Sequence, residues 1–123
     1  MKSTIPYQEF LSMERPKSYI AVFKGTTDPN TGVNWCSDCV KADPFIKKHA
    51  VPLAKENELP IFIVECGLKE EWKNKKHPLR TLPDFRLTGV PTMMYVEDGN
   101  QMNKLVEDEL TNLSMIEMFF DID

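Results

Sequence analysis

The chain has only three cysteines, Cys36, Cys39 and Cys66. That is too few for the disulfide-stapled frameworks of small secreted domains. Structural zinc usually takes four Cys or His ligands; the two histidines, His49 and His77, lie at no ligand-like spacing, so no metal site is expected. A basic excess is also missing. Fifteen Lys and Arg against nineteen Asp and Glu leave a net charge of −4. No cationic face is therefore available to release counterions from phosphate, which argues against nucleic-acid binding. No apolar run approaches the ~18 residues that span a membrane. Met1 to Pro6 has neither the apolar stretch nor the small-residue cleavage site of a secretory leader, and Phe120 to Asp123 is not a retention signal. A cytoplasmic protein is the expectation, in a compartment where a close cysteine pair is more often catalytic than structural. Internal repeats and low-complexity tracts are absent.

What is present fits one domain over residues 1–123, expected to act as a monomer. A chain of 123 residues with 41% hydrophobic and 28% charged content is ordinary for a globular protein. At that length folding removes roughly two-thirds of the unfolded surface from water, enough for a core without staples.

The sequence is organised around Trp35-Cys36-Ser37-Asp38-Cys39. A C-x-x-C between a strand and a helix can cycle between dithiol and disulfide or supply half of a zinc site. With so few further ligands, redox chemistry is the better account. Ahead of the motif, Thr4 and Pro6 predict a helix start that carries Phe10 and Leu11 inward and ends before Pro16. Ser18 to Lys24 reads as a buried strand. Gly25 to Asn34 is a turn-rich loop leading into the cysteines: either a tolerated surface insertion or a rim that restricts access to Cys36.

A helix is predicted from Cys36 onward, with an apolar stripe of Val40, Phe45, Ile46 and His49. Pro44 lies inside it and should kink it; Pro52 should end it or begin a further turn. Ile61 to Cys66 reads as a central strand covered on both faces, closed by Gly67. Residues 69–87 suggest a polar helix around Trp72 and then an irregular stretch. The basic cluster Lys73 to His77, following Glu70-Glu71, reads as a solvated face. Thr92 to Val96, a turn at Asp98-Gly99-Asn100, and Lys104 to Val106 form a hairpin. Thr111 or Asn112 caps a last helix with Leu113, Ile116, Phe119 and Phe120 inward. A first strand near residues 2–5 is possible but too short to read. Strands alternating with helices and closed by a hairpin predict an α/β fold, a central mixed sheet flanked by helices.

These residues resemble the thioredoxin superfamily. Trp35 precedes the first cysteine, Pro44 occupies the helix-kink position, and Val90-Pro91-Thr92 matches the loop in which the superfamily carries a cis proline facing the disulfide. Trp-Cys-x-Asp-Cys, the long loop ahead of it, Val64-Glu65-Cys66, and Lys104-Leu105-Val106-Glu107 resemble, within it, the thioredoxin-domain-containing protein 17 family. The resemblance implies a thioredoxin fold and a cytosolic thiol–disulfide oxidoreductase. It implies no bound cofactor, a redox-active Cys36–Cys39 disulfide, and electrons from NADPH through thioredoxin reductase. Substrates would be protein or small-molecule disulfides, with peroxidase-supporting activity. Two departures stand out: Ser37 where proline is common, and Val22 where ordinary thioredoxins carry a buried proton-accepting aspartate.

Within that reading Cys36 is the nucleophile. Unpaired N–H groups and the dipole at a helix start favour the thiolate, which lowers a thiol's pKa from about 8.5 toward neutrality. Cys39, one turn on, resolves the mixed disulfide. Asp38, with Ser37 and Trp35, is expected to tune the pair, or Asp38 simply favours the helix start. Trp35 shapes the docking surface, and the Val90 backbone beside Pro91 can hydrogen-bond an extended substrate. Cys66 reads as a small buried hydrophobe, Met93-Met94 as gap fillers, and His49 and His77 as structural or exposed. The competing readings are a glutathione-linked, glutaredoxin-like enzyme and a non-catalytic thioredoxin-fold adaptor for a protein partner.

Overall fold

A computed structural model describes residues 4–121. Five strands form one mixed sheet in the order β1-β3-β2-β4-β5. They are β1 (Thr4–Pro6), β2 (Ser18–Lys24), β3 (Ile61–Glu65), β4 (Thr92–Glu97) and β5 (Asn100–Val106). β3 lies parallel to both β1 and β2, whereas β4 runs antiparallel to β2 and to β5. Alternation along β2 divides the interior in two. Tyr19, Ala21 and Phe23 face one core with Phe10, Trp72, Leu79 and the two motif cysteines. Ile20 and Val22 face the other, with Ala42, Ile46, Leu110 and Ile116. In the first, Phe10 packs edge-on against Phe23, Phe62 and Phe85.

The long helical segment behind the motif is three pieces end to end: α2 (Ser37–Phe45), a π turn (Ile46–Ala50) and α3 (Val51–Glu56). Pro44 lies inside α2, and Pro52 follows the π turn. Each proline removes an N–H from the i→i−4 ladder, and between them the ladder shifts register, Val51 N–H reaching the Ile46 carbonyl. Cys39, Ala42, Ile46, Ala50 and Ala54 are the buried positions. The predicted stripe is corrected at Val40, which is 53% exposed and points to solvent.

Further expectations are corrected. Thr4 does not cap a helix: Thr4–Pro6 is strand, paired through Ile5 and Val64, and α1 (Tyr7–Ser12) follows with Pro6 as its extended N-cap. Residues 2 and 3 lie outside the described residues. β3 is not covered throughout: Ile61, Phe62 and Ile63 are half-buried, and Val64 is its one fully buried position. The returning hairpin strand begins at Asn100 rather than Lys104, since Asp98 and Gly99, both at positive φ, close a two-residue turn. Leu113 is exposed on α6 (Leu113–Phe119), which buries Ile116 and Phe119 and takes Asn112 as its cap. A 3-10 turn, Glu107–Thr111, joins β5 to α6.

Residues 69–87 form two short helices, α4 (Lys69–Lys73) and α5 (Pro78–Thr81). His77 is not on a solvated face. It is buried against Tyr7 and Trp72, with Nδ1 accepting from Leu79 N–H at 3.1 Å. No helix among the described residues is long and apolar enough to cross a membrane.

Candidate functional site

Cys36 is the N-cap of α2 and Cys39 sits in its first turn, which brings their Cα atoms to 5.2 Å and joins the sulfurs in a disulfide. Local hydrogen bonds fix the pair. Cys39 N–H points at Cys36 Sγ (3.2 Å), and Gly25 N–H points at Cys39 Sγ (3.4 Å). Cys36 N–H, an orphan donor at the helix start, is taken by Asn34 Oδ1 at 2.9 Å. The Asn34 amide in turn donates to the Gly25 carbonyl (2.8 Å) and to Thr27 Oγ1 (3.1 Å). Both cysteines are largely buried, but they differ in what they meet. Cys36 lines an open cleft of about 330 Å³, together with Trp35, Ser37 and Asp38, and Cys39 does not. Ser37 is exposed and Asp38 half-buried at its edge.

Trp35 is held as a divider. Its Nε1–H donates to the Gly67 carbonyl at 3.0 Å, and its indole lies on Gly25, where a Cβ would stand 2.7 Å from the ring. On the far side of the ring, Asp28, Thr31 and Val33 of the preceding loop and Leu68 of the next connection line a groove of about 290 Å³. The loop Gly25–Asn34, closed by a Thr27–Asn34 bridge, touches the cysteine pair through Gly25 and Asn34 but lines no part of the cleft at Cys36.

The opposite wall is the β4 entry. The Val90–Pro91 peptide bond is cis, and Cys36 Sγ lies 3.6 Å from the Val90 carbonyl oxygen. Val90 joins no backbone hydrogen bond among the described residues. Its neighbours are braced: Thr92 Oγ1 donates to the Gly89 carbonyl (2.8 Å), and Glu107 N–H to the Pro91 carbonyl (2.7 Å). Glu107 adopts φ +53°, a left-handed conformation that costs a non-glycine residue of order 1–3 kcal/mol. Its carboxylate rests where a Gly89 side chain would be.

The third wall comes from α4 and α5: Lys69, Trp72, Lys73 and Arg80. Sequence reasoning passed over these residues, and also Asn34, Gly25 and Glu107. Only Asn34 carried a readable signal, an amide two residues before a helix cap, where Asx turns form.

Of the remaining candidates, Cys66 is a free thiol, fully buried at the end of β3. Desolvation pushes its pKa well above the usual thiol range. Val22, at the position where the resemblance leads one to look for an acid, is buried among apolar groups of the other core. Met93 and Met94 are fully buried filler. Among the described residues no group of three or more His, Cys, Asp or Glu could hold a metal ion.

Comparison with known proteins agrees with this geometry. The family model described as thioredoxin domain-containing protein 17-like, thioredoxin domain, matches residues 5–122. The chain is 36% identical over 108 residues to the thioredoxin-like protein Clot of Arabidopsis thaliana, covering 86% of this chain and 78% of that protein. It is 32% identical over 120 residues to thioredoxin domain-containing protein 17 of Danio rerio, covering 95% and 91%. Mitochondrial thioredoxin 3 of Saccharomyces cerevisiae, in its oxidized form, superposes with a TM-score of 0.56 over 97% of this chain and 94% of its own. At 16% identity, that likeness concerns the fold alone. A Cys36–Cys39 pair at the C-x-x-C position of such a fold supports oxidoreductase chemistry in general.

Proposed function

The chain belongs to the thioredoxin domain-containing protein 17-like family, and from that premise we propose that it is a cytoplasmic, monomeric dithiol–disulfide reductase. Its substrates are protein or small-molecule disulfides, and NADPH-dependent thioredoxin reductase returns it to the dithiol. The observation that carries the reading is the asymmetry of the pair: one bonded sulfur faces a cleft, and the other is enclosed behind it.

The chemistry follows from that placement. The Cys36 thiolate attacks one sulfur of R–S–S–R′. The substrate S–S bond breaks, a mixed disulfide forms at Cys36, and the first thiolate leaves and takes a proton from water. Cys39, deprotonated, then attacks Cys36 Sγ. This closes the Cys36–Cys39 disulfide and releases the second thiolate. Two electrons pass from the dithiol to the substrate. The Cys39 N–H aimed at Cys36 Sγ stabilises negative charge on that sulfur, as does the start of the helix. The unpaired Val90 backbone offers an extended substrate a short β-type pairing beside the sulfurs.

The test is covalent trapping. Cys39→Ser should accumulate a mixed disulfide at Cys36 that Cys36→Ser does not form. Wild-type turnover should draw on NADPH with thioredoxin reductase and not on glutathione. Full turnover by Cys36→Ser sinks the reading.

A further inference from the structure

We propose that Arg80, with Lys69 and Lys73, forms a binding subsite for an anionic group, a carboxylate or a phosphate, that flanks the substrate disulfide. The inference rests on the reductase reading and specifies which disulfides the cleft favours.

Lys69 and Lys73 stand one turn apart on α4, so both side chains leave the same face. They line the cleft that Cys36 opens into. Arg80 reaches that cleft from α5. Its Nε donates to the Trp72 carbonyl at 2.9 Å, and its Cζ stacks 4.0 Å above the Trp72 ring. Those two contacts occupy Nε and one face of the guanidinium. Among the described residues the Arg80 side chain has no further hydrogen bond and no ion pair within 4.0 Å. A planar fork with free Nη donors is thus held at the edge of the cleft. The entropy of ordering it is already lost in folding, so a ligand does not bear that cost again.

The carboxylates facing the cleft are on other elements. Asp38 lies in the first turn of α2, and Glu107 on the β4 side over Gly89. Of the two acids in α4 neither lines the cleft: Glu70 lines the groove beside Trp35, and Glu71 accepts from the Tyr7 hydroxyl. The cleft is therefore bipolar, cationic along α4–α5 and anionic across from it. In a chain of net charge −4, a cationic wall beside the nucleophile is not the by-product of a basic surface. A void of about 330 Å³ admits a group of residue size. The anion can arrive on a small disulfide or as an acidic side chain next to a half-cystine, and the recognising chemistry is the same.

The experiment uses the pre-reduced 123-residue chain, freed of reductant and mixed with one disulfide at a time. Oxidation of Cys36–Cys39 is read by acid quench, alkylation and mass spectrometry, so no recycling enzyme is needed. The probes are dithiodipropionate (anionic), 2-hydroxyethyl disulfide (neutral) and cystamine (cationic), with a pair of disulfide peptides bearing Asp or Asn beside cysteine. Arg80→Gln should lower the anionic-to-neutral rate ratio about three- to fivefold, the neutral probe correcting for any general loss of rate. Arg80→Lys should recover part of the ratio, since it keeps the charge but not the fork. In the wild type the same ratio should shrink as salt rises from about 0.01 M to 1 M. A change confined to the peptide pair assigns the anion to a polypeptide, and a change in the small probes to a free disulfide; either supports the subsite. Ratios that neither Arg80→Gln, Arg80→Lys nor salt alters overturn it while leaving the reductase reading intact. If the wild type is oxidised by none of the probes, both fall.

Discussion

Asn34 Oδ1 accepts the backbone N–H of Cys36 at 2.9 Å, and through its amide nitrogen the same side chain ties that cysteine to the end of β2 at Gly25. The nucleophile is thus positioned from the loop as well as from its own helix. Asn34→Ala removes three hydrogen bonds and leaves a half-buried N–H at the helix start unpaired. It should cost about 1–3 kcal/mol, read as a lower urea midpoint at unchanged slope, and should slow disulfide reduction. Asn34→Asp keeps the acceptor for Cys36 N–H and loses the two donors. Its stability should therefore fall while its reduction rate stays closer to wild type. Equal rate losses in both variants would contradict the positioning role.

Gly25 and Trp35 meet so closely that a methyl group has no room. An alanine Cβ at position 25 would stand 2.7 Å from Cε2 and Cζ2 of the indole, well inside van der Waals contact. The ring must swing away and give up its bond to the Gly67 carbonyl. Gly25→Ala is expected to destabilise the protein by about 1–3 kcal/mol and to shift Trp35 emission to the red. Trp72, on another wall of the same cleft but itself buried, should contribute little to the change. An unshifted emission spectrum would show that Trp35 is not wedged as described.

How much could be read from residues alone depended on whether a feature was local. Ser18–Lys24 and Thr92–Glu97 announce themselves because both faces of each strand are buried, which demands unbroken apolar runs. The cysteine motif, with tryptophan before it and Val-Pro-Thr further on, is equally explicit. Asn100–Asn103 is strand only because it pairs with β4 at the sheet edge. Its side chains are exposed, and a lone Met102 among polar residues makes no alternating pattern. Thr4–Pro6 is extended because β3 supplies its hydrogen-bond partners, a reason that lies some sixty residues away in sequence. The cationic wall was invisible for a similar reason. Lys69, Lys73 and Arg80 look like ordinary solvated charges until α4 and α5 fold back beside Cys36.

Cys66 differs from the motif pair in the property that decides reactivity. Its thiol is fully buried, lies 3.7 Å from the Val64 carbonyl, and is pushed up in pKa chiefly by desolvation. Thiolate is the reactive species, so Cys66 should stay inert in the native state. After reduction, iodoacetamide should label Cys36 first and leave Cys66 unmodified until denaturant is added, as peptide mass mapping would show. Cys66→Ala should keep disulfide reduction within about twofold of wild type and lose stability of the order of 1 kcal/mol for the emptied volume. Labelling of Cys66 as fast as Cys36 in folded protein would instead mark it as an exposed, regulatory thiol.

His77 gives the fold a pH dependence separate from the thiol chemistry. Its Nδ1 accepts from Leu79 N–H, so the neutral ring carries its proton on Nε2 and donates to the Cys66 carbonyl at 2.8 Å. Burial lowers its pKa below the usual 6.5. The Cys66 carbonyl and Glu71 oppose that shift, and Arg80 reinforces it. A base with a depressed native pKa binds fewer protons folded than unfolded, so stability rises with pH across the interval between the two values. As pH falls below about 6.5, the unfolded chain takes up a proton that the native ring refuses. The unfolding free energy should therefore decline, levelling off below the native pKa. In His77→Gln this part of the slope should vanish, while the acid loss due to carboxylates at lower pH remains. Parallel urea titrations between about pH 4 and 8 would decide the matter, since identical slopes in wild type and variant would remove His77 from the account.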